Sequence, residues 1–168
     1  MKKSIILFLS AFIISILSSC SGSDSKQFGS VKEMVDDAKA SVKWISADDF
    51  KKILESGSKY YLIDCREAEE FDSACIKGAI SVPRSDLENT ISEKAPKHRL
   101  PLYIYCNNGD RSALAANILP LLKYSYVKVI TGGFEGWTAA FPDLVELHPV
   151  RGNSSAAAPK KSSGGCGG

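Results

Sequence analysis

Two short apolar runs constrain this chain more than any other feature. Tyr60-Tyr61-Leu62-Ile63 leads into Asp64, and Leu102-Tyr103-Ile104-Tyr105 leads into Cys106. Neither run alternates apolar with polar residues, so each must be covered on both faces. The segments around them carry helical spacing. Val31, Met34, Val35 and Ala38 form one stripe; Leu114, Ala115, Ile118 and Leu122 form another, which Pro120 ends or kinks. Ser46 and Asp49 imitate a capping box, with Asp in place of Glu, opening a helix towards Glu55. Shorter helices are expected near Ala68–Phe71, Ser85–Ile91 and around Trp137, with further strands at Val42–Ile45, Ala79–Val82 and Tyr126–Ile130. Doubly covered strands alternating with helices predict a parallel α/β sheet. Sites in such sheets gather at the carboxyl ends of strands, which points to Asp64-Cys65-Arg66 and to Cys106 onward.

The two ends have a different character. Lys2 and Lys3 precede an apolar run, Ile5–Leu17, too short to span a bilayer and suited to a signal-peptide core. It ends in Leu17-Ser18-Ser19-Cys20, which resembles a bacterial lipobox. The resemblance implies a signal peptide over residues 1–19, acylation of Cys20, a flexible tether over 20–30, and a lipid-anchored, extracytoplasmic place in the cell envelope. An ordinary secretory signal with an incidental Cys20 is the alternative. Residues 31–149 then form one domain of about 120 residues, and the Ala/Ser/Gly/Lys tail over 150–168 is expected to stay disordered. Without Lys2 and Lys3 the basic residues equal the 19 acidic ones, which gives no electrostatic case for nucleic acid.

The chemistry is concentrated in Cys106-Asn107-Asn108-Gly109-Asp110-Arg111-Ser112, between a buried strand and an apolar-striped helix. A thiol there faces unpaired backbone N–H groups and the positive end of the helix dipole, so its thiolate is favoured. Gly109 lets the backbone fold back and aim N–H groups inward, and Arg111 adds a planar fork suited to an oxyanion. Such a cradle suits a persulfide. Sulfur transfer through it needs no histidine base, and His98 and His148 are the only histidines. The absence of any Cys-x-x-Cys pair argues against a zinc site or a thioredoxin-like motif.

Four motifs resemble those of the rhodanese-like sulfurtransferase family over Val42 to Pro142. They are Asp64-x-Arg66-x-x-x-Glu70-Phe71, Ile76-x-Gly78-Ala79-x-x-Val82-Pro83, Cys106-x-x-Gly109-x-Arg111-Ser112 and Gly132-Gly133-Phe134-x-x-Trp137. The resemblance implies a three-layer α/β fold with a central, mainly parallel five-stranded sheet flanked by helices. It implies Cys106 and Arg111 as catalytic residues and Asn107, Asn108, Gly109, Asp110 and Ser112 as the substrate-binding loop. It implies no metal or organic cofactor. The expected partners are a small sulfur-containing anion or persulfide donor, a thiol or cyanide-like acceptor, and the membrane through the N-terminal lipid. Four residues separate Cys106 from Arg111, whereas phosphatases and arsenate reductases of related architecture have five and a wider cradle.

The chain departs from the family's pattern in ways that bear on function. The loop carries Asn107, Asn108 and Asp110 where active members often have a basic residue, so a dianion such as thiosulfate is expected to bind weakly. The resemblance places the Cys65 strand beside the Cys106 strand, close enough for a disulfide that would switch the site off; a small buried core residue is the plainer reading of Cys65. Cys75 stands where the family usually has His, and reads as a structural substitution or a disulfide partner. Cys166, in a glycine-rich tail, could reach Cys106 as a redox partner or be incidental. A catalytically idle binding module and an envelope thiol–disulfide exchanger using Cys65 or Cys166 are the rival functions.

Overall fold

The computed structural model describes residues 26–148. The signal segment 1–19, the lipidation candidate Cys20, the first part of the tether, Cys166 and the tail over 150–168 lie outside the described residues. Those described belong to two units, 26–33 and 34–148. In the first, Ser30 Oγ accepts the Glu33 N–H at 3.2 Å and the Glu33 carboxylate accepts the Gly29 N–H at 2.8 Å, bonds that open helix α1, Val31–Ser41.

The second unit is built on five strands: β1 (Trp44–Ile45), β2 (Tyr61–Asp64), β4 (Ile80–Ser81), β5 (Leu102–Tyr105) and β6 (Val127–Ile130). They lie in the order β1-β6-β5-β2-β4 and every pairing is parallel. The expected five-stranded α/β sheet is therefore present. All four residues of β5 are buried, as its unbroken apolar run requires. Leu102 and Ile104 enter one core with Ile63, Leu87, Ile91 and Leu119, while Tyr103 and Tyr105 enter the other with Phe50, Leu62 and Trp137. The period of two along β5 thus divides one strand between two cores.

Helices α2 (Ala47–Glu55), α3 (Ala68–Ser73), α4 (Leu87–Lys94), α5 (Asp110–Ile118) and α6 (Gly133–Ala140) accompany the strands. Ser46 caps α2, its Oγ accepting the Asp49 N–H at 3.1 Å. Pro120 sits in a short 3-10 turn, Leu119–Leu122, that stops α5. The Phe50 ring lies 4.9 Å from Tyr103 and 5.6 Å from Trp137 between ring centroids, so Phe50→Ala costs about 3–5 kcal/mol.

The structure adds an element that the sequence pattern hides. Strand β3 (Ala74–Ile76) pairs antiparallel with β7 (Val145–Leu147) in a separate two-stranded sheet. Each strand is three residues long, with Leu147 exposed, so neither carries a period that marks it as a strand.

For the site, the register between β2 and β5 matters most. Asp64 lies level with Tyr105, so Cys65 and Cys106 both leave the sheet at its carboxyl edge, side by side. The Cys65 N–H donates to the Tyr105 carbonyl at 2.9 Å, extending the ladder to that edge.

Candidate active site

At the end of β5 the chain stops making sheet bonds and is taken over by two helix starts. The Cys106 and Asn107 carbonyls accept the N–H groups of Phe134, at 2.8 Å, and Glu135, at 3.1 Å, from the first turn of α6. This contact requires glycine at position 133. A Cβ there would lie 2.4 Å from the Cys106 oxygen and 2.5 Å from the Asn107 oxygen. The loop then reverses at Gly109, whose φ of 105° belongs to the left-handed region, and runs into α5. A side chain at Gly109 would also meet the Trp44 ring at 3.3 Å.

The reversal aims the Gly109 N–H at Cys106 Sγ, 3.2 Å away, and brings the Ser112 hydroxyl to 3.5 Å from the same sulfur. Gly109 and Ser112 thus each turn a donor towards the Cys106 sulfur. Asn108 faces its own loop: Oδ1 accepts the Asp110 N–H at 3.1 Å and Nδ2 donates to the Asp110 carboxylate at 3.1 Å. Asn107 turns outward and donates to Glu135 Oε1 at 2.7 Å.

Cys106 is fully buried, yet its thiol is pulled down to about 5. The Cys65 thiol contributes most, followed against burial by the Ser112 hydroxyl and the Ser112 and Gly109 N–H groups. Cys65 moves the other way, pushed well up by its bond to Cys106 and by burial. Its sulfur also lies 3.2 Å from the Tyr105 carbonyl, so one proton has two acceptors. The thiolate is the stronger, because a charge-assisted bond outweighs a neutral one. Cys65, Cys75 and Cys106 are all free thiols here.

Arg111 does something the sequence does not reveal. Its guanidinium forks onto Glu70, at 3.0 and 3.2 Å, and touches Glu67 at 3.3 Å. The expected oxyanion fork is therefore filled by a carboxylate, which Arg111 in turn holds below its ordinary range. Asp110 is paired with Lys39 and is lowered by that bond. The carboxylate expected to repel a dianion is thus matched by a cation from α1. Asp64 and Arg66, at the end of β2, pair with each other. Both are buried; Arg66 Nη2 reaches Asp64 at 2.6 Å and the Ala74 carbonyl at 2.7 Å, while the guanidinium lies 3.8 Å from the Phe134 ring centroid.

Glu67, Glu135, Lys39 and Trp44 are the site neighbours that the sequence reading misses. Glu70 stands in a quoted motif without a role, and only its pairing with Arg111 supplies one. Cys75 lies apart in β3, its sulfur 3.4 Å from His148 Nε2. Burial and the nearby Glu146 push its thiol up to about 11. Among the described residues no three His, Cys, Asp or Glu side chains gather where they could hold a metal ion.

Fold and loop together define an α/β domain built around one buried, ionisable thiol at a strand–helix junction. Residues 46–140 match the rhodanese-like domain family, and the chain belongs to that family. It is 32% identical over 104 residues to the rice adenylyltransferase and sulfurtransferase MOCS3, covering 55% of this chain and 23% of that protein. It is 29% identical over 99 residues to the putative sulfur carrier protein YrkF of Bacillus subtilis, covering 59% and 52%. A solved Rhodopseudomonas palustris protein of unknown function, described as a possible tyrosine phosphatase, superposes with a TM-score of 0.58 at 30% identity, covering 68% and 94%. The chain thus spans about a quarter and about half of these two curated relatives.

Proposed function

We propose that the chain is a sulfurtransferase that carries sulfane sulfur on Cys106. The reading rests on one observation: several donors converge on a single buried sulfur, with Gly109 N–H at 3.2 Å and Ser112 Oγ at 3.5 Å. That arrangement supports an anionic nucleophile at neutral pH without a histidine base. With thiosulfate, the Cys106 thiolate attacks the outer sulfur, the sulfur–sulfur bond breaks, and sulfite leaves with the electron pair. An acceptor thiolate, or cyanide, then attacks the outer sulfur of the Cys106 persulfide and regenerates the thiolate. The sulfurtransferase and sulfur-carrier names of the curated relatives support sulfur donors and acceptors as partners. The four-residue interval between Cys106 and Arg111 weighs against the phosphatase activity suggested for the Rhodopseudomonas protein. The test is the mass of the protein after exposure to thiosulfate or polysulfide. One added sulfur on Cys106, lost on adding cyanide and absent from Cys106→Ser, is expected. No added sulfur with any donor sinks the reading and leaves the binding-module alternative.

A second reading has its own support, the place of Cys65 beside Cys106 at the same sheet edge. Oxidation by a peroxide would join the two sulfurs and make Cys106 inert until a thiol reduced it. Peptide mapping of oxidised and re-reduced protein decides this: a thiol exchanger requires a specific, reversible Cys65–Cys106 or Cys106–Cys166 bond.

We further propose that the domain is tethered outside the cytoplasm through an acylated Cys20, on the strength of Leu17-Ser18-Ser19-Cys20 after an apolar run. Cys20→Ala is expected to move the protein from the membrane to the soluble fraction. Unchanged membrane association would count against the lipid.

A further inference from the structure

The ion pairs around the Cys106 loop do not balance. Four carboxylates, Glu67, Glu70, Asp110 and Glu135, belong to the loop or are bonded to it. Among the described residues two cations answer them: Lys39 on Asp110, and Arg111 shared between Glu70 and Glu67. The nearby Arg66 also acts on Glu70, but its charge is matched by the buried Asp64 and leaves the balance unchanged. Among the described residues, the Glu135 carboxylate receives the neutral amide of Asn107, at 2.7 Å, and no cation. Two carboxylates are therefore in excess, and an ionised Cys106 adds a third negative charge. Screening limits such effects to about 8 Å at physiological salt, so groups bonded to the loop itself decide what approaches the sulfur.

We propose that Glu67 and Glu135 make the Cys106 site select sulfur partners that carry a positive group, ammonium-bearing thiols and persulfides, over inorganic and carboxylate anions. The proposal rests on the sulfur-transfer reading above and names its substrate class. In the transfer step the partner's thiolate attacks the outer sulfur of the Cys106 persulfide. A new sulfur–sulfur bond forms in the departing persulfide, and the old bond returns its electron pair to Cys106. The partner's ammonium group stays outside, where Glu67, about half exposed, and the exposed Glu135 can meet it. Weakly buried charges of this kind change rates by about 3-fold each, or about 10-fold together.

The experiment uses the purified full chain, loaded with polysulfide. Loss of sulfur from Cys106 is followed by mass with cysteamine, 2-mercaptoethanol and 3-mercaptopropionate, compared at equal thiolate concentration. Cysteamine is expected to be fastest and mercaptopropionate slowest, with a spread of about 10-fold at low salt that narrows as salt is added. In the E67Q/E135Q variant the spread is expected to shrink to about 2-fold. A flat or reversed order, or a spread the variant leaves unchanged, overturns the proposal. A second arm needs no sulfur transfer: alkylation of Cys106 by anionic iodoacetate against neutral iodoacetamide, each referred to free cysteine. The iodoacetate rate is expected to be selectively depressed and to recover in E67Q/E135Q. If it does while Cys106 takes sulfur from no donor, the selectivity stands and the sulfur-transfer reading fails. If it does not, the selectivity falls.

Discussion

Cys106 and Cys75 are both buried thiols in one small domain, yet they are driven in opposite directions. Burial raises both, since it penalises the charged form. Cys75 sits inside a strand, where its neighbours' N–H groups are already spent, that of Ala74 on the Glu70 carbonyl and that of Ile76 on the Tyr105 hydroxyl at 3.1 Å. Its thiol has the His148 ring at 3.4 Å and a carboxylate, Glu146, nearby, and it stays a thiol. Cys106 sits one residue past the end of its strand, where the ladder has ended and a helix begins. The Cys65 thiol, then the Ser112 hydroxyl and the Ser112 and Gly109 N–H groups, reverse the effect of burial. The donors that converge on the sulfur, and not depth, separate Cys106 from Cys75; Cys65, also one residue past the end of its strand, gives its proton to that site and stays a thiol.

The largest break in that comparison comes from removing each sulfur. Cys106→Ser is expected to lower sulfur uptake by more than about 1000-fold, as loss of a nucleophile does, whereas Cys75→Ser stays within about 2-fold; intact mass after polysulfide treatment reads both. The pH dependence comes next. Iodoacetamide labelling of Cys106 is expected to be half-maximal near pH 5, while Cys75 in the folded protein resists labelling until about pH 11. Peptide mapping across pH separates the two, and coincident profiles would end the distinction.

Smaller changes sharpen it. Cys65→Val is expected to raise the Cys106 labelling midpoint the most, with Cys65→Ser recovering part of the shift. Ser112→Ala is expected to raise the midpoint by about one pH unit, the loss of one charge-assisted bond. Stability should follow the same opposition. The depressed Cys106 adds stability that is complete above the unfolded thiol value of about 8.5 and is lost as pH falls through about 5. The elevated Cys75 does the reverse, removing stability as pH rises from about 8.5 towards 11. Thermal melts should therefore have a shallower slope between about pH 5 and 8.5 in Cys106→Ser and a shallower alkaline-side slope in Cys75→Ser, where the raised Cys65 remains. The least effect is expected from His148→Ala, below about 1.5 kcal/mol in denaturant unfolding, because the ring offers weak contacts, to the Cys75 sulfur and to the stacked Phe71 ring.

What the sequence disclosed and what it withheld divide along chain distance. The sheet was legible because Leu102–Tyr105 and Tyr61–Asp64 have no polar face to give to water. The meeting of Gly109 and Ser112 at Cys106 was legible because a strand–loop–helix junction brings consecutive residues together. Arg111 misled, since its partners, Glu67 and Glu70, arrive from α3, and nothing within the loop announces them. Asp110 misled likewise, because Lys39 reaches it from α1. Strands β3 and β7 were lost because a three-residue strand has too few positions to display a period, and its partner lies almost at the other end of the domain.

The close approach of α6 to the loop has a consequence for how this site can change. At one end the Cys106 and Asn107 oxygens abut the bare Cα of Gly133; at the other the Trp44 ring closes over Gly109. The loop is clamped between two faces that leave no slack for another residue. An insertion between Asn107 and Arg111, the simplest route to a wider mouth, would have to push out Trp44 or prise the first turn of α6 away from the end of β5. Loop length in this domain is thus a property of its neighbours. Position 133 is already glycine and has nothing to give up, so a switch to a larger substrate needs a smaller residue at position 44 or a displaced α6 before any added residue can be accommodated.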